Sequence, residues 1–409
     1  MRVLMLAPGT HGDVAAPAGL GARLQAAGHG VTIVADAPDA QLAADAGCAF
    51  QPVPADLRQI VAASAAGPGR QAGRRLRALL RDMARYFELA AMVALEAAPG
   101  TDAVLFNAVP PYGRDIAEGL RVPSIGMFLQ PTEPSAAYPP MATKLASLGG
   151  VGNRVAGNLT QLMPASYDTA CAQVRRELGL AAKSRRAAER RRREDQPVHH
   201  GISPVVLPRP RDWRPGLYLD GYWWPPQPPG WTPPGDLVGF LGSGPAPVII
   251  TFGSTPASQA ASRAAVTAAR QAGQRVIIQD PATDEPSGDG GVLRSGPIPH
   301  AWLFLQAAAV VHHAGAGTTA AGLRAGIPAV TVPAYTDQPF WASRLSALGA
   351  GPAPVPRRRM TTGRLTAAIA AAVHTPDYLR NARQIAGQLA REDSATGILS
   401  ELEHTGKIP

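Results

Sequence analysis

The chain alternates short apolar runs with longer alanine-rich stretches of helical periodicity. In its first part, residues 3–7, 31–35, 103–106 and 124–128 form apolar runs that predict strands, and residues 14–27 predict a helix. Runs that are apolar at nearly every position suit strands covered by helices on both faces of a sheet. The pattern therefore predicts an α/β fold built on a parallel sheet.

The same alternation restarts in the second half of the chain. Apolar runs at residues 247–252, 276–279, 310–311 and 330–332 predict the strands of a second sheet. Prolines are concentrated between residues 209 and 234, which indicates an extended, semi-rigid connection between two units. A length of 409 residues also favours two domains, because a domain usually has ~150 residues.

These observations predict a definite division of the chain. We expect a first domain at residues 1–224, a linker at 225–245, a second domain at 246–385 and a C-terminal helix at 386–409. Open parallel sheets bind ligands at the carboxyl ends of their strands. Two such domains would therefore enclose a binding cleft between them.

The most distinctive polar pattern follows the third predicted strand of the second series. Backbone N–H groups at Gly315 and Gly317 can approach an anion closely, and the N-terminus of the helix that follows adds a partial positive charge. His313 and Thr318 supply further donors. A nucleotide-hydrolase P-loop is disfavoured because no Gly-Lys-Ser/Thr follows, and a dinucleotide fingerprint because Ala320 replaces its third glycine.

Two further elements suit a sugar nucleotide. The run at residues 247–252 leads into Gly253 and Ser254, whose backbone amides and hydroxyl are candidates for holding the β-phosphate. Asp337 and Gln338 follow another apolar strand, and a carboxylate beside an amide suits a polyol because it offers both acceptors and donors. An anion site and a polyol site together predict a nucleoside diphosphate sugar as ligand.

The His313 turn and the later Asp337-Gln338 pair resemble the signature of the family 1 glycosyltransferases of bacteria and plants. The resemblance is strongest over residues 297–349 and extends weakly to both termini. It implies the GT-B fold, in which two Rossmann-like domains face each other across a cleft, the first binding the acceptor and the second the donor. It also implies that the last helix, at residues 376–403, crosses back to the first domain.

The same resemblance implies roles for residues of the donor side. Ile298 would offer backbone hydrogen bonds to the nucleobase, and Trp302 would be either an apolar wall of that site or a core aromatic. Ala321 stands where plant members carry a glutamate that binds the ribose hydroxyls. An alanine in place of this glutamate is compatible with a thymidine diphosphate donor, and some enzymes that use uridine diphosphate sugars also lack the glutamate.

The candidate catalytic base lies in the N-terminal turn Pro-Gly-Thr-His-Gly-Asp-Val. This turn resembles the family's Gly-Thr-Arg-Gly-Asp-Val form, which implies that Asp13 is the base. His11 stands in place of the family's arginine, and it either is the base itself or orients the carboxylate or the acceptor. Either side chain is chemically able to accept a proton. The alternative is that Asp13 only caps the first helix beside His11.

The charge of the chain is uneven. Lys and Arg number 39 and Asp and Glu 30, which gives a net charge of +9. Much of the excess lies in residues 183–195, which predict a solvated, mobile loop whose deletion leaves the fold intact. The block has no interleaved aromatic residues for base stacking, so nucleic-acid binding is not expected. Cys48 and Cys171 have no paired or metal-ligand spacing and predict inert thiols.

No apolar run approaches the ~18–20 residues of a membrane span, and the N-terminal apolar run is too short for a signal peptide. We therefore expect a cytoplasmic enzyme without stable membrane insertion. No metal and no other cofactor is expected, because helix N-termini and cationic or neutral side chains can stabilise a leaving diphosphate.

Together these features predict an inverting glycosyltransferase that moves a hexose or deoxyhexose from a TDP- or UDP-sugar to a hydroxyl of a lipophilic small molecule. The Ala-, Arg-, Gly- and Pro-rich composition resembles actinobacterial members, which commonly modify polyketides, glycopeptides and sterol-like compounds. The acceptor would contact residues 106–107, 127–130 and 145–163. Two alternatives are a non-catalytic partner protein of the same fold and a sugar-nucleotide epimerase, which would need more acids and arginines around the sugar.

Overall fold

The computed structural model describes residues 1–64, 72–141, 147–252, 259–279, 291–334 and 336–405. Within these residues, the strands of a first sheet are β1 (Arg2–Leu6), β2 (Gly30–Asp36), β3 (Ala49–Val53), β4 (Ala103–Phe106), β5 (Ser124–Phe128), β6 (Val198–His200) and β7 (Leu217–Leu219). The strands of a second sheet are β8 (Val248–Thr251), β9 (Val276–Gln279), β10 (Val292–Arg294), β11 (Ala309–His312) and β12 (Ala329–Thr331).

Helices cover both sheets. Those of the first half are α1 (His11–Ala26), α2 (Ala40–Asp45), α3 (Leu57–Ser64), α4 (Ala72–Ala97), α5 (Tyr112–Leu120), α6 (Gly149–Leu162), α7 (Asp168–Glu177) and α8 (Arg185–Asp195). Those of the second half are α9 (Gly235–Gly242), α10 (Gln259–Gln271), α11 (His300–Leu303), α12 (Ala316–Ala325), α13 (Gln338–Ala347), α14 (Thr362–His374), α15 (Pro376–Leu389) and α16 (Thr396–Thr405).

Both sheets are parallel and have the doubly wound order that places ligands at a reversal of strand order. The first runs β3-β2-β1-β4-β5-β6-β7 and the second β10-β9-β8-β11-β12. Strands β1, β4 and β8 are almost wholly buried, which explains why their sequences are apolar on both faces. The predicted α/β class and the two-sheet division are thus confirmed. Strands β3, β6, β7 and β10 were not predicted. The last three have only three residues each, too few to show a periodicity, and β3 contains a proline and a single buried residue.

The proline-rich connection joins the two sheets. It runs without helix or strand from Tyr222 to Pro234, and α9 then occupies part of the predicted linker. A cleft of about 2240 Å³ lies between the sheets and is lined by residues of both halves. Helices α1 and α12 begin at this cleft and contact each other across it.

The end of the chain crosses back to the first sheet, as the GT-B fold requires. Ala395, Ile398 and Leu402 are fully buried in one apolar cluster with residues of β1 and β2. The indole of Trp223 fixes the crossing by donating to the carbonyl of Ser394 at 2.8 Å. The prediction of one helix over residues 376–403 is wrong, because α15 ends at Leu389 and α16 starts only after the crossing.

The basic block at residues 183–195 is a second correction. It forms helix α8 and not a mobile loop, because its arginines have acidic partners on neighbouring elements. Arg192 pairs in a bidentate manner with the buried Glu133, and Lys183 pairs with Glu118 at 2.5 Å. Ser184 caps the helix by accepting from the backbone N–H of Ala187. Ionic contacts therefore order a segment that has almost no apolar residues.

No helix within the described ranges is long and apolar enough to cross a membrane.

Candidate active site

The cleft brings most of the predicted site residues together. Those that line it are His11, Asp13, Ile298, His313, Gly315, Gly317, Thr318, Asp337 and Gln338. They come from the carboxyl ends of the two sheets, where α1, α12 and α13 begin. Gly253 and Ser254 lie outside the described residues, so their contact with the β-phosphate stays a prediction.

The turn before α12 is shaped by its own backbone. Ala314 has a left-handed conformation with φ of 64°, and its N–H donates to Nδ1 of His312 at 3.1 Å. Gly315 then caps α12 with no side-chain hydrogen bond to the helix. The first N–H groups of a helix have no partner within the helix, so here they are available to an anion in the cleft.

Three histidines around this turn are neutral at neutral pH. Burial lowers the pKa of His300 and of His313 to about 4 and that of His312 to about 3. The imidazole of His313 lies against Gly315, since a Cβ on Gly315 would be 2.5 Å from its Nε2. His313 is therefore a neutral hydrogen-bond donor. Its imidazole can take this position because residue 315 is a glycine and has no side chain.

This contact predicts a difference between two glycines. Gly315→Ala should displace the His313 imidazole and weaken binding of TDP about tenfold, the cost of one lost hydrogen bond in a buried site. Gly363→Ala in α14 is the control, because this residue does not line the cleft and a Cβ there meets no protein atom within 4 Å. Titration calorimetry of both variants measures the effect. Equal affinity of Gly315→Ala and wild type would remove His313 from the diphosphate site.

The two residues of the predicted sugar site differ in role. The carboxylate of Asp337 accepts from Thr336 Oγ1 and from Trp341 Nε1, each at 3.0 Å, and burial raises its pKa. Gln338 is buried, and its Oε1 accepts from the backbone N–H of Ala334 at 2.9 Å. Asp337 thus presents a charge to the cleft, whereas Gln338 also fixes the loop that carries it.

Asp13 faces this pair from the first domain. Its Oδ2 accepts from the backbone N–H and from Oγ1 of Thr10, both at 2.9 Å, so it does cap α1. Burial raises its pKa, and the nearby carboxylates of Asp337 and Asp39 raise it further. A carboxylate oriented by two hydrogen bonds and with a raised pKa has the properties of a general base.

His11 is held by a residue that sequence reasoning missed. Its Nδ1 lies 2.9 Å from Oδ1 of Asp39, which is 2% exposed and also lies 3.6 Å from Arg58 Nη1. The imidazole itself is half exposed in the cleft. The sequence does hold a signal for this contact. Asp39 follows β2, and β2 pairs in parallel with β1, so the residues after both strands lie at the same edge of the sheet.

Of the two residues predicted for the nucleobase site, Ile298 lines the cleft and Trp302 does not. Ile298 lines the cleft, and its carbonyl accepts from Gln279 Nε2 at 3.2 Å. Trp302 does not belong to the described cleft lining and packs edge-on against Trp231, with ring centroids 5.4 Å apart. The reason is helix geometry: His300 faces the cleft, and two residues later a helix has turned by ~200°. The prediction of an apolar wall at Trp302 is therefore not supported, and its core alternative fits.

Comparison with known proteins identifies relatives of the whole chain. Residues 274–405 match the model of the erythromycin biosynthesis protein CIII-like C-terminal domain. The chain is 31% identical to an O-mycaminosyltylonolide 6-deoxyallosyltransferase of Streptomyces fradiae, over 96% of this chain and 94% of that protein. It is 30% identical to a sterol 3-beta-glucosyltransferase of Arabidopsis thaliana, over 90% of this chain and 60% of the plant protein.

Solved structures share the fold over their full length. The glycosyltransferase VinC in complex with dTDP matches with a TM-score of 0.68 and 21% identity, covering 100% of both chains. The spinosyn forosaminyltransferase SpnP matches with a TM-score of 0.70 and 17% identity, covering 99% of this chain and 98% of that one. The two-domain architecture, the cleft and the full-length relatives together assign the chain to the family 1 glycosyltransferases of the GT-B fold.

Proposed function

We propose that this glycosyltransferase transfers a hexose or deoxyhexose, with inversion, from a TDP- or UDP-sugar to a hydroxyl of a lipophilic small molecule. One observation carries the proposal: Asp13 at the N-terminus of α1, Asp337 and the first residues of α12 line the same cleft from the two halves of the chain. The Asp337 carboxylate is near enough to raise the pKa of Asp13. A base, a sugar-binding carboxylate and an anion site thus converge from two domains.

The chemistry is a single displacement. Asp13 removes the proton of the acceptor hydroxyl as its oxygen attacks the anomeric carbon, and the bond from that carbon to the β-phosphate oxygen breaks. The electron pair leaves with the diphosphate, whose charge is stabilised by the first N–H groups of α12 and by His313. Attack opposite to the leaving group inverts the anomeric centre. The proposed stabilisation needs neither a metal nor another cofactor.

His11 is proposed to assist this step without being the base. Asp39 fixes the ring through Nδ1, so Nε2 is the nitrogen that remains for a ligand. From that position it can hold the acceptor hydroxyl in line with the sugar. The sequence left open whether His11 is the base or orients the acceptor, and the orienting role is the one proposed here.

The choice of donor and acceptor is supported by the lining of the cleft. Ala321 lines the cleft on the donor side and offers no carboxylate for a ribose 2′-hydroxyl, which is compatible with TDP as well as UDP. Apolar side chains, among them Phe106, Phe128, Tyr138 and Met141, line the part that belongs to the first half of the chain. A lipophilic acceptor fits them, in agreement with the names of the tylonolide and sterol relatives.

The proposal is tested by binding and turnover together. Thermal shifts with TDP and UDP should show stabilisation by at least one of them, because a ligand that binds only the folded state raises its melting temperature. Transfer is then measured with TDP-glucose and UDP-glucose against a panel of hydroxylated macrolides and sterols. Flat melting curves with both nucleotides would favour a non-catalytic partner protein, and a changed sugar without any acceptor would favour an epimerase.

Asp337 should separate transfer from nucleotide binding. Asp337→Ala is expected to lower transfer ~10²-fold or more while the affinity for free TDP stays within about twofold, since the side chain is assigned to the sugar and not to the phosphates. Asp377→Ala, an exposed carboxylate at the start of α15, is the control and should change neither quantity. Much weaker binding of free TDP to Asp337→Ala would contradict the sugar assignment.

A further inference from the structure

Helix α6 carries its apolar stripe on the outside of the molecule. Val151, Val155, Leu159 and Leu162 recur at the spacing of one helical face and are exposed, Val151 by 81% and Leu159 by 61%. Leu148 and Met163 extend the stripe at both ends and are also exposed. Four large apolar side chains on one face of a short helix and two more at its ends form one grouped feature, unlike the scattered apolar residues of an ordinary surface.

The opposite face of α6 belongs to the protein interior and to the cleft. Asn153 is buried and donates to the carbonyl of Ala136, and Gly157 packs against Pro134. Thr160 and Gln161 line the cleft on its acceptor side. The helix is therefore fixed by its polar and small residues, and its outward stripe lies one helix diameter from the proposed acceptor site.

Basic side chains of α8 lie beside α6. Arg193 of α8 donates to Asn158 Oδ1 at 2.8 Å and to Gln161 Oε1 at 2.7 Å, and Arg185 donates to the carbonyl of Gln161. These contacts hold α8 beside α6. The exposed arginines of α8 are Arg186, Arg190, Arg191 and Arg193. Three of them pair with an acid, Arg190 with Glu194, Arg191 with Glu118 and Arg193 with Glu189. Helix α8 nevertheless holds six arginines against three acids, so the surface combines apolar side chains with a net positive charge.

We propose that this surface, formed by the outer face of α6 and by α8, docks onto an anionic lipid surface. Apolar side chains of an interfacial helix enter the boundary between headgroups and acyl chains, and nearby arginines gain from negative headgroups. A second copy of this chain fits less well, because a two-fold interface would bring the two sets of arginines together. Docking here places the acceptor side of the cleft next to the membrane, where lipophilic molecules concentrate.

Vesicle co-sedimentation of the full chain tests this docking. We expect binding to vesicles of phosphatidylcholine with phosphatidylglycerol, weaker binding to phosphatidylcholine alone, and weakening by salt. The variant Val155→Asp with Leu159→Asp should lower the partition coefficient about tenfold or more, because two inserted side chains become charged. Arg186→Gln should lower it about fivefold at low salt. Val238→Asp changes an exposed apolar residue of α9 and is the matched control.

Three outcomes would overturn the proposal. They are no binding to the anionic vesicles at low salt, equal binding of the α6 variant and the control, or a dimer in light scattering that the α6 variant dissolves. Circular dichroism and melting temperatures check that the variants fold, which is expected at exposed positions. The vesicle measurement needs neither donor nor acceptor, so its result is independent of the proposed transfer reaction.

Discussion

Asp13→Asn is expected to lower turnover by ~10²-fold or more while binding of TDP stays unchanged. The amide cannot take the proton of the acceptor hydroxyl, and positioned general-base catalysis contributes about 10² to 10⁴ in rate. The substitution is nearly isosteric, and the Oδ1 of asparagine can still accept the hydrogen bonds from Thr10, so α1 should keep its cap. Single-turnover rates with an active donor and acceptor pair measure the effect.

The pH dependence adds an independent measurement. A base must be ionised, so kcat/KM should fall as the pH drops through the pKa of Asp13, and burial places that pKa above the ordinary value for aspartate. The residual rate of Asp13→Asn should lack this acidic limb. His11→Ala and Asp39→Asn should keep the limb and lose less activity. If Asp13→Asn retained a near-normal rate while His11→Ala abolished it, the two roles would have to be exchanged.

Arg192→Ala should be the most destabilising single change in helix α8. Glu133 is 4% exposed, and Arg192 is its bidentate partner, so truncation leaves a buried carboxylate without its counter-charge. Removing one partner of a buried pair typically costs ~3–5 kcal/mol in the free energy of unfolding. Urea unfolding followed by circular dichroism measures it. This expectation replaces the one drawn from the sequence, that the whole block can be deleted without loss of the fold.

A neighbouring arginine serves as control. Arg190 is on the exposed side of the same helix and pairs with Glu194, so Arg190→Ala should leave the free energy of unfolding nearly unchanged. Burial alone would raise the pKa of Glu133, but Arg192 holds it below its usual value. The pair therefore stabilises the fold above the pKa of an unfolded glutamate and loses this contribution as the pH falls through the lower folded value. Equal stability of the two variants at neutral pH would show that Glu133 does not need Arg192.

The amino-acid sequence determined the fold class and the two sheets, and it predicted most of the candidate site residues that line the cleft. Fully apolar strands and helical periodicity are properties of neighbouring residues, so they are readable without knowing what packs on them. The turn around His313 is local for the same reason, because a strand, two glycines and a helix start lie within a few positions. The cleft followed from the rule that parallel sheets bind ligands at their carboxyl ends. Asp337 was indicated by a carboxylate beside an amide after an apolar strand, and Asp13 by the resemblance of its turn to that of the family.

Only the tertiary structure decided which polar side chains are partners. His11 and Asp39 are 28 positions apart, and Arg192 and Glu133 are 59 apart, so no local pattern links them. Helix α8 is stabilised by such distant acids. A local pattern does not show them, so the block of charges alone predicted a loop. Helix α6 shows the opposite situation. Its periodicity indicates an apolar face, which would normally be expected to pack against the protein. In the structure the other face, around Asn153 and Gly157, makes that contact, and the apolar face is exposed. Interactions between distant residues are set by the order of the strands and the packing of helices on them, and that order is a property of the whole chain.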